Sequence, residues 1–268
     1  MQTLLLLPLF GVLIAGFAYL KLRQHHRYIY LHSIQARLLE SGNGELAFNR
    51  YENHELPRFD EALITLSDFL PASTLTALRD CAARYTNSER SHLPGHKKGG
   101  TIAYQELHLS ATEIVAFYQS SYLRSLISDI VGEPVIPTPI NDQSSCSLLI
   151  YDRPRDHISW HYDHNFYNGR HFTVLLSLIN ENSRRDGPSS AQLIARKHGV
   201  DTLVPTPSNT IVLFEGARVL HKVSRLGNQE RRVILSMTFS TDPGASFFKG
   251  CARRIKDTAY FGVRALWT

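Results

Sequence analysis

The chain has 268 residues, of which 43% are hydrophobic and 20% charged, and its formal net charge is +5 at pH 7. This is the composition of a folded protein with room for one domain, a substantial core and an appendage. The basic residues form no dense stripe interleaved with aromatic side chains, which argues against a nucleic-acid partner. The three cysteines are widely scattered, as in reduced, buried thiols rather than a disulfide framework, and they favour a domain facing the cytosol.

An almost unbroken apolar run occupies residues 4–20. As a helix rising about 1.5 Å per residue, it is just long enough to cross a bilayer core of roughly 30 Å. Positive charges follow the run at Lys21, Arg23 and Arg27, which favours a cytoplasmic location for the rest of the chain. We therefore predict a single-pass transmembrane anchor over residues 1–22. The alternative is a cleaved signal peptide, although neither a basic start nor a small-residue cleavage site is evident.

The next segment, residues 23–60, is predicted to be a juxtamembrane helix and linker. Its helical pattern covers residues 34–40 and ends at a Ser-Gly pair, which is typical of a helix C-terminus. A polar connector follows. Residues 61–268 then form the predicted catalytic domain.

The first part of this domain alternates strand and helix signals. Residues 62–70 have strand character, and Pro71 begins an amphipathic helix. The apolar face of that helix consists of Leu75, Leu78, Cys81 and Ala82. Two further helices are predicted at residues 110–118 and 121–131, the second ending at Gly132. The basic, Gly-rich stretch 87–100 is predicted to be a solvated loop, and the tail after Ser240 to pack on the barrel.

The chemistry is concentrated in the sequence Trp-His-Tyr-Asp-His at residues 160–164. On an extended strand, His161 and Asp163 point to the same face because they are two residues apart. A third ligand can come from His221, which lies in another short apolar run. Two histidines and one carboxylate form the facial triad of non-haem Fe(II) oxygenases, with coordination positions left open.

Two adjacent arginines, Arg231 and Arg232, precede the strand-like run 233–239. A guanidinium there could bind a carboxylate with two hydrogen bonds. Adjacent strand residues face opposite sides, so only one arginine can point inward. Choosing Arg232 places Ser236 on the same inner face, whereas choosing Arg231 places Val233 and Leu235 there. We prefer Arg232.

With these motifs, the chain resembles the 2-oxoglutarate/Fe(II)-dependent dioxygenases, and within them the prolyl-4-hydroxylase-like branch. The resemblance runs from about residue 64 to residue 239. It implies a mainly β (α+β) fold, with a double-stranded β-helix (jelly-roll, cupin-like) core and flanking helices behind the N-terminal transmembrane helix. It also implies Fe(II) held by the triad, 2-oxoglutarate as co-substrate and O2.

The resemblance also implies roles for further residues. Tyr151, ten residues before His161, corresponds to a tyrosine that lines the 2-oxoglutarate pocket, although a tyrosine packing in the core is an equal alternative. Thr173 and Ser236 could help to hold the co-substrate. At Ser177 many relatives have a tyrosine, so this wall of the pocket departs from the family pattern.

The predicted function is a membrane-anchored dioxygenase that hydroxylates a small molecule, a lipid or a protein side chain and releases succinate and CO2. One alternative is a zinc-dependent hydrolase, because His157, His161 and His164 also cluster. Another is a non-catalytic, membrane-tethered barrel that senses iron or a small carboxylate. A third is a cupin-type metalloenzyme that uses no 2-oxoglutarate, and the formation of succinate distinguishes it.

Overall fold

The structure of the protein is a computed structural model, and it describes most of the chain. The described residues are 2–40, 56–57, 59, 63–84, 88–93 and 95–267. Within them, the side chains of residues 2–9, 91–93, 264 and 267 are outside the described set. The predicted polar connector falls mainly on residues 41–55 and therefore lies outside the described residues.

The N-terminal segment is one continuous helix, α1 (Gln2–Glu40). Its C-terminal half packs on the domain, with Leu31 buried in the main core and Gln24 donating from Nε2 to the carbonyl of Leu266 at 2.8 Å. The short helix predicted at residues 34–40 is therefore the end of a longer one. Among the residues whose side chains are described, no helix offers an apolar stretch sufficient to cross a bilayer. The predicted anchor begins in residues 1–9, outside that set, and it stays a prediction.

The domain is built on one curled antiparallel sheet. Its strands are β1 (Leu63–Leu66), β2 (Glu89–Leu93), β3 (Lys97–Ile102), β4 (Ile136–Pro137), β5 (Cys146–Tyr151), β6 (His157–His161), β7 (His171–Glu181), β8 (Leu193–Lys197), β9 (Val200–Val204), β10 (Ile211–Glu215), β11 (Leu220–Val223) and β12 (Arg231–Ser240). The strand order is β1-β10-β7-β12-β5-β3-β6-β11-β8-β9, with β2 beside β3 and β4 beside β12. This half-barrel is consistent with the predicted jelly-roll core.

Period-two alternation divides the strand residues between two apolar layers. The layer inside the curl includes Tyr151, Leu175, Val212, Phe214 and Ile234. The layer outside it, under the helices, includes Val174, Leu176, Leu235, Met237 and Phe239. The long central strands β7 and β12 contribute to both layers, which explains why their sequences are almost continuously hydrophobic.

Helices cover the outer face of the sheet. They are α2 (Ala72–Ala83), α3 (Tyr104–Ser110), α4 (Thr112–Gln119) and α5 (Ser121–Val131). Helix α6 (Phe247–Phe261) instead contributes residues to the cavity described below and is followed by a 3-10 helix (Val263–Trp267). Helix α5 has the predicted bounds. It ends at Gly132, whose φ of 74° is the left-handed conformation that glycine adopts at helix C-termini. The predicted buried face of α2 is also confirmed.

Three expectations were wrong. The stretch 87–100 contains most of a β-hairpin, β2 and β3, rather than a solvated loop, because β3 inserts between β5 and β6. Helix α3 was not predicted, and the predicted cap at Ser110 belongs to its end. Cys251 is exposed, whereas Cys81 and Cys146 are buried, free thiols. The tail does pack on the barrel, as predicted, as helix α6.

Candidate metal and anion site

The three predicted metal ligands lie together at one end of the half-barrel. His161 ends β6 and pairs with His221 of β11 across the ladder, and Asp163 follows β6 directly. The Oδ1 atom of Asp163 is 3.6 Å from Nε2 of His161 and 4.0 Å from Nε2 of His221. The ligand atoms of all three residues lie within 4.8 Å of one another. One ion can contact all of them.

Hydrogen bonds orient both imidazoles. Nδ1 of His161 is 2.8 Å from the carbonyl of Ser159, and Nδ1 of His221 is 3.0 Å from the carbonyl of Val219. A carbonyl can only accept, so each Nδ1 carries the proton and each Nε2 has its lone pair free. This is the tautomer that a metal requires from both rings.

A threonine and a glycine position the carboxylate of Asp163. Thr173 of β7 donates from Oγ1 to Oδ2 of Asp163 at 2.7 Å, which leaves Oδ1 facing the two histidines. The backbone of Asp163 donates to the carbonyl of Gly216 at 3.1 Å. A Cβ at Gly216 would lie 2.6 Å from Cβ of Asp163 and 3.0 Å from Oγ1 of Thr173. Only glycine fits there without displacing the carboxylate.

The electrostatics keep His161 and Asp163 deprotonated at neutral pH. Burial lowers the pKa of His161 to about 4, and the neighbouring His221 contributes in the same direction. Burial alone would raise the pKa of Asp163, but His221, His161 and the hydrogen bond from Thr173 outweigh it and bring the pKa below its usual value. At neutral pH the site therefore presents a neutral imidazole and a carboxylate, the forms that bind a divalent metal.

Arg232 lies inside the curl with its side chain buried, whereas Arg231 is half-buried on the opposite face of β12. Nη2 of Arg232 donates to Oγ1 of Thr206 at 3.3 Å, while Nε and Nη1 are buried without a partner in the described part of the chain. Its guanidinium lies 5.7 Å from the ring centroid of the equally buried Tyr151. Burying an unpaired guanidinium is unfavourable, so this arrangement fits a carboxylate ligand.

A cavity of about 160 Å³ is lined by two of the three candidate ligands, His161 and Asp163. Thr173 and Ser236, predicted to hold the co-substrate, both line it. Arg232 and Tyr151 are not lining residues. Arg232 lies four positions before Ser236 on the same face of β12.

Several residues that line the cavity are not identified by the sequence analysis. Lys97 and Thr101 come from β3, and Lys256, Tyr260 and Phe261 come from α6. The composition of residues 87–100 predicts a loop rather than a strand. In the C-terminal tail, no sequence pattern indicates that the charged residues contact the barrel. The alternation of Lys97, Gly99 and Thr101 on one face was the signal available for β3.

The alternative zinc cluster does not form. Among the described residues, the group of three or more potential ligands that can share an ion is His161, Asp163 and His221. His157 instead bonds through Nδ1 to the carbonyl of Arg155 at 2.8 Å, and the ring of His164 packs near Phe166 at 6.2 Å.

The sequence matches no protein-family model, and no curated protein matches it. Solved structures do match. An oxidoreductase of the 2OG-Fe(II) oxygenase family from Burkholderia pseudomallei superposes with a TM-score of 0.54 at 15% identity, over 69% of this chain and 88% of that one. The non-heme alpha ketoglutarate dependent carbocyclase SnoK from nogalamycin biosynthesis gives a TM-score of 0.54 at 11% identity, over 72% and 87%.

A prolyl hydroxylase from Trichoplax adhaerens, in complex with a hypoxia inducible factor peptide, gives a TM-score of 0.50 at 18% identity, over 68% of this chain and 84% of that one. The chain has the fold of the 2-oxoglutarate/Fe(II) oxygenases. At the level of the fold, the resemblance predicted from the sequence is confirmed.

Proposed function

We propose that this protein is an Fe(II)- and 2-oxoglutarate-dependent dioxygenase that hydroxylates its substrate. The observation that carries the proposal is the convergence of His161, Asp163 and His221 on one point, on a fold shared with 2-oxoglutarate/Fe(II) oxygenases. Two imidazoles and one carboxylate leave half of an octahedral coordination shell open. A structural metal site would be closed by a further protein ligand.

Different residues of the site have different roles in this proposal. His161, Asp163 and His221 hold iron(II), and Thr173 fixes the rotamer of Asp163. When bound, iron(II) and 2-oxoglutarate supply the chemistry in which one oxygen atom of O2 enters the substrate and the other enters succinate, as CO2 leaves. The carboxylate of Asp163 favours hydroxylation, since its occupancy of a coordination position leaves no place for a halide.

Arg232 is the residue we assign to the distal carboxylate of 2-oxoglutarate. Its two unpartnered nitrogens offer the paired donors that a carboxylate accepts. Ser236, on the same face, would place a hydroxyl beside that carboxylate, and the ring of Tyr151 would form a wall of the pocket. Arg231 is oriented away from this interior and serves as the natural comparison.

Succinate formation tests the proposal. With Fe(II), 2-oxoglutarate and air, the full chain should convert 2-oxoglutarate to succinate even without substrate, slowly, and should stop when O2 is removed. Asp163→Ala should lower the rate at least about 100-fold, since it removes an iron ligand. A chain that binds both Fe(II) and 2-oxoglutarate but forms no succinate would instead favour the sensing barrel or the cupin-type alternative.

We further propose that helix α1 attaches the protein to a membrane, with the domain on the cytoplasmic side. Its described apolar residues are strongly exposed: Phe10 is 65%, Val12 68% and Leu13 63% exposed. Basic residues begin at Lys21, as the positive-inside rule requires. The full chain should stay in the membrane fraction after alkaline carbonate washing, and a chain lacking residues 2–20 should not. Release of the full chain by carbonate would refute the attachment.

A further inference from the structure

Lys97 is a buried cation in the wall of the candidate site. Strand β3 carries it into the sheet opposite Ile158 of β6, and its side chain is only 4% exposed. Its Nζ donates to Oγ1 of Thr101 at 2.8 Å and lies 5.3 Å from the ring centroid of Tyr260 of α6. Both Lys97 and Thr101 line the cavity beside the metal ligands.

Lys97 lines the same cavity as two of the candidate metal ligands, His161 and Asp163. The ring of Tyr260 is 5.9 Å from the ring of His96, which is 5.7 Å from the ring of His161. A ligand bound in this cavity can therefore contact both Lys97 and the candidate metal ligands that line it.

Among the described residues, no carboxylate pairs with Lys97. The other lysine of the cavity, Lys256, has two carboxylates: its Nζ is 2.9 Å from Oδ1 of Asp257 and 3.4 Å from Oδ1 of Asp142. Asp163 faces the two histidines. The pKa values reflect this contrast, because burial lowers that of Lys97 to about 8, whereas Asp142 and Asp257 outweigh burial and raise that of Lys256.

A buried ammonium without a counter-charge destabilises a folded protein unless a ligand supplies the charge. The cavity also has apolar walls at Leu149, Ile158 and Phe261. We propose that Lys97 and Thr101 form an anion subsite that binds the carboxylate of the primary substrate, and that the substrate is a small carboxylic acid with an apolar body. This rests on the proposed function and adds the substrate class to it.

The polar partner of Lys97 differs from that of Arg232, the residue assigned to 2-oxoglutarate. Arg232 lies on β12 within the curl, beside Thr206 and Tyr151, whereas Lys97 lies on β3 under Tyr260 of α6. Two separate buried cations on different strands match two separate carboxylates, one from the co-substrate and one from the substrate.

The test uses the full chain, loaded anaerobically with Fe(II) and 2-oxoglutarate. Isothermal titration calorimetry measures binding of straight-chain carboxylic acids of four, six and eight carbons and of their uncharged amides. A buried charge-assisted hydrogen bond is worth about 1.5–3 kcal/mol, so at least one acid should bind roughly 10-fold or more tightly than its amide. Lys97→Met should abolish this preference, and Lys97→Arg should retain part of it.

Lys98→Met is the matched control, since Lys98 is the next residue of β3 and donates outward to the carbonyl of Pro154 at 3.1 Å. It should leave the preference unchanged. Lys97→Met should also leave the 2-oxoglutarate affinity within about twofold.

An acid preference that survives in Lys97→Met, or that is absent from the wild-type chain, overturns the proposal. A loss of 2-oxoglutarate affinity in Lys97→Met would overturn it too, and would assign Lys97 to the co-substrate. Failure to bind iron and 2-oxoglutarate at all would refute the proposed function separately.

Discussion

Replacing Gly216 by alanine should disable the metal site without unfolding the domain. The new Cβ would lie 2.6 Å from Cβ of Asp163 and 3.0 Å from Oγ1 of Thr173. Ordinary carbon–carbon contacts are about 3.5–4.0 Å, so Asp163 must move by about 1 Å. That displacement separates Oδ1 from the point shared with the two histidines and strains the hydrogen bond from Thr173. Changes of this kind around a metal ligand cost about 10–100-fold in affinity.

The assay is anaerobic titration of the full chain with Co(II) or Fe(II). Gly216→Ala should weaken binding by about 10–100-fold while its melting temperature, measured on metal-free protein, stays close to that of the wild type. Gly250→Ala is the control, because nothing lies within 4 Å of a Cβ at that position in α6, and it should leave metal affinity unchanged. Wild-type metal affinity in Gly216→Ala would refute the claim that this contact positions Asp163.

Three further predictions concern the carboxylate, the core and acid stability. Thr173→Val removes the 2.7 Å hydrogen bond to Asp163 and should weaken Co(II) binding about 10-fold in the same titration; unchanged affinity would contradict its positioning role. Leu235→Ala empties a fully buried position under the helices and should cost about 2–5 kcal/mol in urea unfolding while sparing metal affinity. Burial lowers the pKa of His108 to about 4, so its contribution to stability is present above pH 6.5 and is lost as the pH falls through 4. That contribution amounts to about 3 kcal/mol. His108→Phe should flatten the unfolding free energy between pH 6.5 and 4, and an unchanged slope would exclude His108 as its source.

The barrel strands and the shared face of His161 and Asp163 were predictable because both follow from short-range alternation. Alternation along β12 predicted that only one of Arg231 and Arg232 points inward, and the structure buries Arg232. The spacing of His161 and Asp163 predicted a shared face, although Asp163 lies just beyond β6 rather than within it. These inferences needed only the period of a strand.

The hairpin and the tail depended on long-range contacts that no local pattern contains. The stretch 97–102 is basic and Gly-rich, and it becomes a strand only because β5 and β6 leave a gap that β3 fills. A Cβ at Gly100 would collide with the side chain of Ser88, whose Cβ would be 2.9 Å away, and would lie 3.3 Å from Cβ of Ile150. Glycine therefore permits the close approach of neighbouring segments at this point of β3. Tyr260 and Lys256 reach the cavity only because α6 folds back onto the barrel.

The most direct test of the account is anaerobic titration of the Fe(II)-loaded chain with 2-oxoglutarate, followed through the weak visible charge-transfer band of the chelate. We expect a band that is absent from His161→Ala and that needs at least 10-fold more 2-oxoglutarate in Arg232→Met than in Arg231→Met. Absence of the band from the wild-type chain, together with tight zinc binding, would contradict the account and favour a zinc-dependent hydrolase.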